Sequence, residues 1–194
     1  MTAAPLILAS ASPRRKALLE QIGVTPDKII AADINEAPLK AELPRDYVLR
    51  LAREKALLVA GANPRAFVLG ADTTVACGRR ILPKAEDENT ARECLALLSG
   101  RAHRVYTGVA LVAPDGAVRT RIVETRVKVR RLDAPAIQDY IDSKEWDGKA
   151  GGYAIQGLFA KHIVGIIGSH PNVMGLPLYE VANLLAGASA DASK

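Results

Sequence analysis

An α/β fold on a mixed β-sheet flanked by helices is the architecture this sequence predicts, and three observations carry it. Short apolar runs alternate along the chain with stretches of helical period. Two strand-like segments, His103–Val112 and Val118–Arg130, meet across Pro114-Asp115-Gly116, and such a pair is antiparallel. Finally, 194 residues of which 49% are apolar suffice for one domain that buries roughly 70% of its unfolded surface.

Taken in order, Leu6–Ala9 reads as a short buried strand. Ser12 is a good N-cap and Pro13 a good first helical residue, so a helix runs from there to about Ile22, with Gly23 as its left-handed stop. A second helix spans Pro44 to about Ala60. The strand Phe67–Ala71 leads into Asp72, and Thr74–Leu82 turns back through Gly78. Asp87 or Glu86 caps a helix that ends at Ser99-Gly100. After the strand pair, a helix over Ala134–Ser143 precedes a glycine-rich loop, Gly148 to Gly157. Ile163–Ile167 is a strand and Pro177–Leu185 a closing helix. One domain over residues 1–187 is expected, followed by a disordered tail at 188–194.

Composition removes whole classes of function. The apolar fraction excludes disorder, and no apolar run is long enough for a spanning helix. Arg14 and Arg15 follow the apolar start, the reverse of a secretory signal, and Cys77 and Cys94 make neither a metal spacing nor a disulfide framework. A reduced, cytoplasmic protein with no membrane partner is expected. The net charge of +5 favours anionic partners, yet 4% aromatics leave few platforms for stacking bases and no basic block forms an arm. A small anion such as a nucleotide fits isolated cations better than nucleic acid does.

Chemistry is expected at four places. Ser10-Ala11-Ser12-Pro13-Arg14-Arg15 opens a helix with two arginines where acids are usual, and a bound anion would offset that conflict; solvated arginines are the bland alternative. On a helical wheel from Val48, Lys55 falls at about 340°, inside the apolar stripe. It either snorkels outward or points into a site that wants positive charge. Arg50, Arg53 and Glu54 lie off that stripe and read as solvated surface. Asp72 is placed at the carboxyl end of a buried strand, where a carboxylate must be paired, metal-bound or capping a turn. Glu36, in a connecting segment, and the isolated Lys84 carry no signal of their own. The loop Gly148-Lys149-Ala150-Gly151-Gly152-Tyr153-Ala154-Ile155-Gln156-Gly157 lets backbone approach a ligand, or is a mobile surface loop. No zinc spacing of His103, His162 and His170 appears, and no nucleophilic triad; cations, carboxylates and glycine loops suit metal-assisted phosphate chemistry.

The ordered set of residues 10–15, Gly70-Ala71-Asp72-Thr73, Ser99-Gly100-Arg101, Tyr106-Thr107-Gly108, Lys149-Ala150-Gly151, Ile155-Gln156-Gly157 and Gly175-Leu176-Pro177-Leu178 resembles the Maf family of nucleoside triphosphate pyrophosphatases over about residues 6–185. The resemblance implies two lobes around a nucleotide-binding cleft, akin to the inosine triphosphate pyrophosphatases. It also implies hydrolysis of a nucleoside triphosphate to monophosphate and pyrophosphate with Mg²⁺ or Mn²⁺. Asp72 matches the family's catalytic aspartate and Glu36 its partner acid, the two holding the metal through oxygen ligands. Ser10, Arg15, Lys55 and Lys84 match residues on the triphosphate. Arg14, Thr73 and Gln156 match positions that separate branches, here resembling the dTTP/UTP branch. Pro83-Lys84-Ala85 departs from the usual Gly-Lys-Pro, and Ser169-His170-Pro171-Asn172 from a Ser-Tyr loop. Asp72, or a water it orients, would supply the nucleophile, with its role as base or ligand left open; so is a homodimer. A nucleotide-sensing regulator of cell division with little turnover is the rival that the family's association with septum formation suggests.

Overall fold

The computed structural model describes residues 4–191, and the side chains of residues 4–188. The chain opens with β1 (Leu6–Ala9), α1 (Pro13–Gln21) and the two-residue β2 (Lys28–Ile29), then α2 (Pro44–Gly61). Next come β3 (Phe67–Cys77), β4 (Arg80–Leu82), β5 (Lys84–Ala85) and α3 (Glu88–Leu98). The long pair β6 (Ala102–Val112) and β7 (Val118–Val129) leads to α4 (Ala134–Asp142) and β8 (Lys149–Ala150). A 3₁₀ turn at Leu158–His162, β9 (Ile163–Ile167), α5 (His170–Met174) and α6 (Leu178–Asp191) complete it.

The sheet runs β2-β1-β3-β6-β7-β9, with β4 folded back on β3. It is mixed: β1 pairs in parallel with β2 and β3, whereas β3–β6, β6–β7 and β7–β9 are antiparallel. Alternation along β1 sorts the core. Ile7 and Ala9 pack with Ala52, Ala56 and Val59 of α2, while Leu8 joins Leu18 and Leu19 of α1 and Val181 and Leu184 of α6. A third cluster, around Val75, Val105, Val127, Leu95, Tyr140 and Phe159, belongs to the far halves of β3, β6 and β7 with α3 and α4. Asp72 and Thr73 occupy the stretch of β3 between Ala71 of the first assembly and Val75 of the second.

Three sequence expectations change. Asp72 does not end its strand, because β3 continues to Cys77 on the ladders of β6 and β4. What ends near it is the parallel pairing with β1, whose last partners are Ala9 and Gly70. Ser12 is the N-cap residue of α1 but its side chain makes no capping hydrogen bond; its own N–H instead donates to Ser10 Oγ at 3.2 Å. The closing helix passes Leu185 and continues to Asp191, with Ala188 buried, so that part of the expected tail is helical; residues 192–194 lie outside the described residues. No helix among the described residues is long and apolar enough to cross a membrane.

Two glycines let α2 lie flush on the sheet. A Cβ on Gly70 would fall 2.5 Å from the Ala52 carbonyl oxygen, and one on Gly108 would strike that of Val48. Gly108 is the register partner of Asp72, so this contact sets how closely α2 approaches that residue. Gly108→Ala is therefore expected to destabilise the protein by about 3 kcal/mol in urea titrations, since helix backbone rather than a flexible side chain must move. Gly61→Ala, whose Cβ would meet nothing within 4 Å, is the control and should be neutral or mildly stabilising.

Candidate active site

One cavity of about 390 Å³ lies where the end of β1, the start of α1, the middle of β3 and the glycine-rich loop converge. All nine residues singled out from the sequence line it: Ser10, Arg14, Arg15, Glu36, Lys55, Asp72, Thr73, Lys84 and Gln156. A tenth polar group, Lys149, lines it too. Five cations thus face two carboxylates, and the volume falls in the range of small-molecule sites.

Lys55 is the hub. Its helix turns it toward the sheet, where it is 7% exposed among Val48, Leu51, Ala52 and Ala56. The apolar stripe thereby delivers an ammonium to the interior, and of the two readings of Lys55 the inward one holds. Nζ donates to Asp72 Oδ1 at 2.7 Å and pairs with Glu36 Oε1 at 2.6 Å; Lys84 Nζ takes Glu36 Oε2 at 2.6 Å. Burial pushes the Glu36 carboxyl up, but the hydrogen bonds from Lys55 and Lys84 outweigh it and hold the group at about 2. Asp72 is 5% exposed, so it is satisfied as a buried acid must be.

Glu36 sits on an irregular segment, and α2 holds that segment in place. The Tyr47 hydroxyl donates to the Glu36 carbonyl oxygen at 2.9 Å, and Arg50 donates to the Ala37 carbonyl and to both carboxylate oxygens of Glu42. Burial, with the charges of Asp72 and Glu36 next, pushes the Tyr47 phenol up to about 12. Arg50 is thus a clamp rather than solvated surface; helical spacing shows only that it avoids the apolar stripe, not that another segment crosses above it.

Arg15 closes the opposite wall. Its Nη1 donates to Ser10 Oγ at 3.0 Å, Nη2 to Thr73 Oγ1 at 3.3 Å, and Nε to the Gly175 carbonyl at 2.8 Å. Burial pulls its pKa below the ordinary value while the Asp72 carboxylate opposes the shift, as expected of a cation held out of water beside the cavity. Arg14 and Lys149 are lowered as well, burial being the first cause in each and the charge of Arg14 the second for Lys149.

The glycine-rich loop is no mobile surface strand. Residues 151–155 are buried, β8 pairs with β5, and that two-residue ladder sets Lys84 opposite Ala150. Gly151 and Gly152 both hold positive φ, and a Cβ on Gly151 would strike Val75. Gln156 stands exposed beyond them. Residues that the sequence reading did not single out are Tyr47, Thr107 and Asn172. For Thr107 the only local signal is its place beside Gly108 in the Tyr-Thr-Gly motif.

Among the described residues no three His, Cys, Asp or Glu cluster as metal ligands, so Glu36 and Asp72 stand as a pair. They present oxygen donors only, and they already share one cation, the Lys55 ammonium.

A family model described as Maf-like protein matches residues 5–188. The chain is 58% identical to a dTTP/UTP pyrophosphatase of Caulobacter vibrioides over 96% of this chain and 97% of that one. It is 59% identical to a dTTP/UTP pyrophosphatase of Paramagnetospirillum magneticum over 95% and 97%. A solved HAM1 protein from Coxiella burnetii shares the fold with a TM-score of 0.51, at 14% identity over 94% of this chain and 98% of that one. A match of this extent, at this identity and on this fold, makes the chain a member of the Maf family.

Proposed function

We propose that the protein hydrolyses nucleoside triphosphates of the dTTP and UTP type to the monophosphate and pyrophosphate. The observation that carries this reading is the arrangement of Asp72 and Glu36 against Lys55 and Lys84, at 2.6–2.7 Å, in a cavity that Arg14, Arg15 and Lys149 also line. The names of the relatives at 58% and 59% identity support the substrate pair.

Lys55, Lys84 and Arg15 bind the phosphate chain, and Ser10 steadies Arg15 beside it. Attack of water on the α-phosphorus forms one P–O bond and breaks the bond to the bridging oxygen, which departs with pyrophosphate. Asp72 takes the proton released by the water. The cations oppose the negative charge that grows on the phosphate oxygens, in a cavity where burial strengthens every such interaction. Glu36 and Asp72 would hold a hard divalent cation, Mg²⁺ or Mn²⁺, because their donor set is all oxygen and the place between them accepts positive charge. When bound, that cation adds to the neutralisation of the phosphates. Gln156 and Arg14 read the carbonyl and imide edge of a pyrimidine, for which an amide offers one acceptor and donors as well.

The test is pyrophosphate release from dTTP, UTP, CTP, 7-methyl-GTP and ITP, with and without Mg²⁺ or Mn²⁺. Metal-dependent release led by dTTP and UTP is expected. Gln156→Ala should cost about tenfold in kcat/KM for dTTP and less for ITP. Release led by 7-methyl-GTP would overturn the specificity while leaving the reaction. Nucleotide binding with no release from any substrate would overturn the reaction itself.

A further inference from the structure

Thr107 is completely buried on β6, in register with Thr73 on β3. Its hydroxyl donates to the Asn172 carbonyl oxygen at 3.1 Å and lies 2.9 Å from Thr73 Oγ1. A hydroxyl has a single proton, and that of Thr107 is spent on Asn172. Thr73 is then the donor within the threonine pair, at 2.9 Å and so in preference to the Gly175 carbonyl 3.4 Å away, and a lone pair of its oxygen accepts from Arg15 Nη2. The hydrogen bonds therefore run in one direction, from the Arg15 guanidinium through Thr73 and Thr107 to the backbone of α5.

The same segment returns to Arg15 by a second route, since the Gly175 carbonyl accepts from Arg15 Nε. It is anchored beneath by Asn172, fully buried, whose Nδ2 donates to Thr125 Oγ1 at 3.0 Å and to the Val105 carbonyl at 3.3 Å. Thr125 in turn donates to the Ser169 carbonyl. Three adjacent strands thus each bring one threonine hydroxyl to residues 169–175, Thr73 within 3.4 Å of the Gly175 carbonyl, Thr107 on Asn172 and Thr125 on Ser169, and Thr107 ties that segment to the side chain bound to Arg15.

We propose that Thr107 is a positioning residue for the phosphate-binding Arg15: its hydroxyl sets the proton direction of Thr73 and ties down the segment whose Gly175 carbonyl orients the guanidinium. This rests on the reading of the cavity as a triphosphate site. Valine matches threonine in shape and suits a strand, so Thr107→Val removes the hydroxyl with little change in packing. Thr107→Val should raise KM for dTTP about tenfold, with a much smaller change in kcat, because one aligned hydrogen-bond path to a ground-state phosphate contact is lost. Thr107→Ser should restore KM to within about twofold of wild type. In an Arg15→Gln background, Thr107→Val should have no further effect, which a merely structural role would not produce. An unchanged KM in Thr107→Val, failure of serine to rescue it, or additive effects of the two substitutions would each overturn the proposal. Calorimetry with inorganic triphosphate separates the failures. If wild type binds it and Thr107→Val binds it equally well, this assignment falls alone; if wild type binds none, the triphosphate reading of the cavity falls with it.

Discussion

Asp72→Asn is expected to lower pyrophosphate release from dTTP by about 10³-fold while leaving the protein folded. Asparagine keeps the shape of the side chain, and its carbonyl oxygen still accepts from Lys55, which also retains Glu36 as a counter-charge. What disappears is the capacity to take a proton from water and half of the anionic oxygen pair. The measurement is steady-state release with excess Mg²⁺ or Mn²⁺, alongside a urea titration. A folded Asp72→Asn protein with wild-type turnover would remove Asp72 from the reaction.

Lys55→Met carries the largest expected cost in stability, about 3–5 kcal/mol, because it strands a buried carboxylate. Lys55 and Asp72 have side chains only 9% and 8% exposed, so water cannot replace the lost ammonium. Methionine fills similar volume, which separates the electrostatic loss from a packing defect. The pH dependence provides a second readout. The Glu36 carboxyl stands at about 2 in the folded protein against 4.5 ordinarily, so at pH values between them the unfolded chain binds the proton first. Its contribution to stability is complete above about pH 4.5 and drains away as pH falls toward 2. Lys55→Met removes one of the two hydrogen bonds that hold Glu36 down, so this acid-sensitive contribution should shrink. Urea midpoints across pH 2–7 test both effects; a Lys55→Met protein as stable as wild type at pH 7 would mean that the three-residue cluster is not a cohesive unit.

Much of the candidate site is legible in the sequence, for a physical reason that differs between residues. Lys55 was visible because a lysine inside an apolar helical stripe conflicts with burial, and the arginines opening α1 because they oppose the helix dipole. Asp72 is visible from the apolar run ahead of it, but that run does not show that the strand continues to Cys77. The extension of β3 depends on β6 and β4, whose register partners lie many residues away. Glu36, in a connecting segment, and Lys84, an isolated lysine, carry no local signal and enter only through family resemblance; each acquires meaning from a partner brought to 2.6 Å by the fold. Arg50 likewise takes its role from Glu42 and the Ala37 carbonyl, which the fold brings to it.

Local patterns in the chain settle the longer helices and strands, which faces of them are apolar, and that cations and carboxylates need one another or a ligand. Those properties follow from periodicity and capping, which act over a few residues. Tertiary packing alone decided which charges meet. It put Lys55 between Glu36 and Asp72, and it ran a chain of hydrogen bonds from Arg15 to Asn172 across four elements. It also turned a glycine loop into the buried wall beside Lys84. Such pairings join residues up to 160 positions apart, as in Arg15 with Gly175, and no local window of sequence contains both partners.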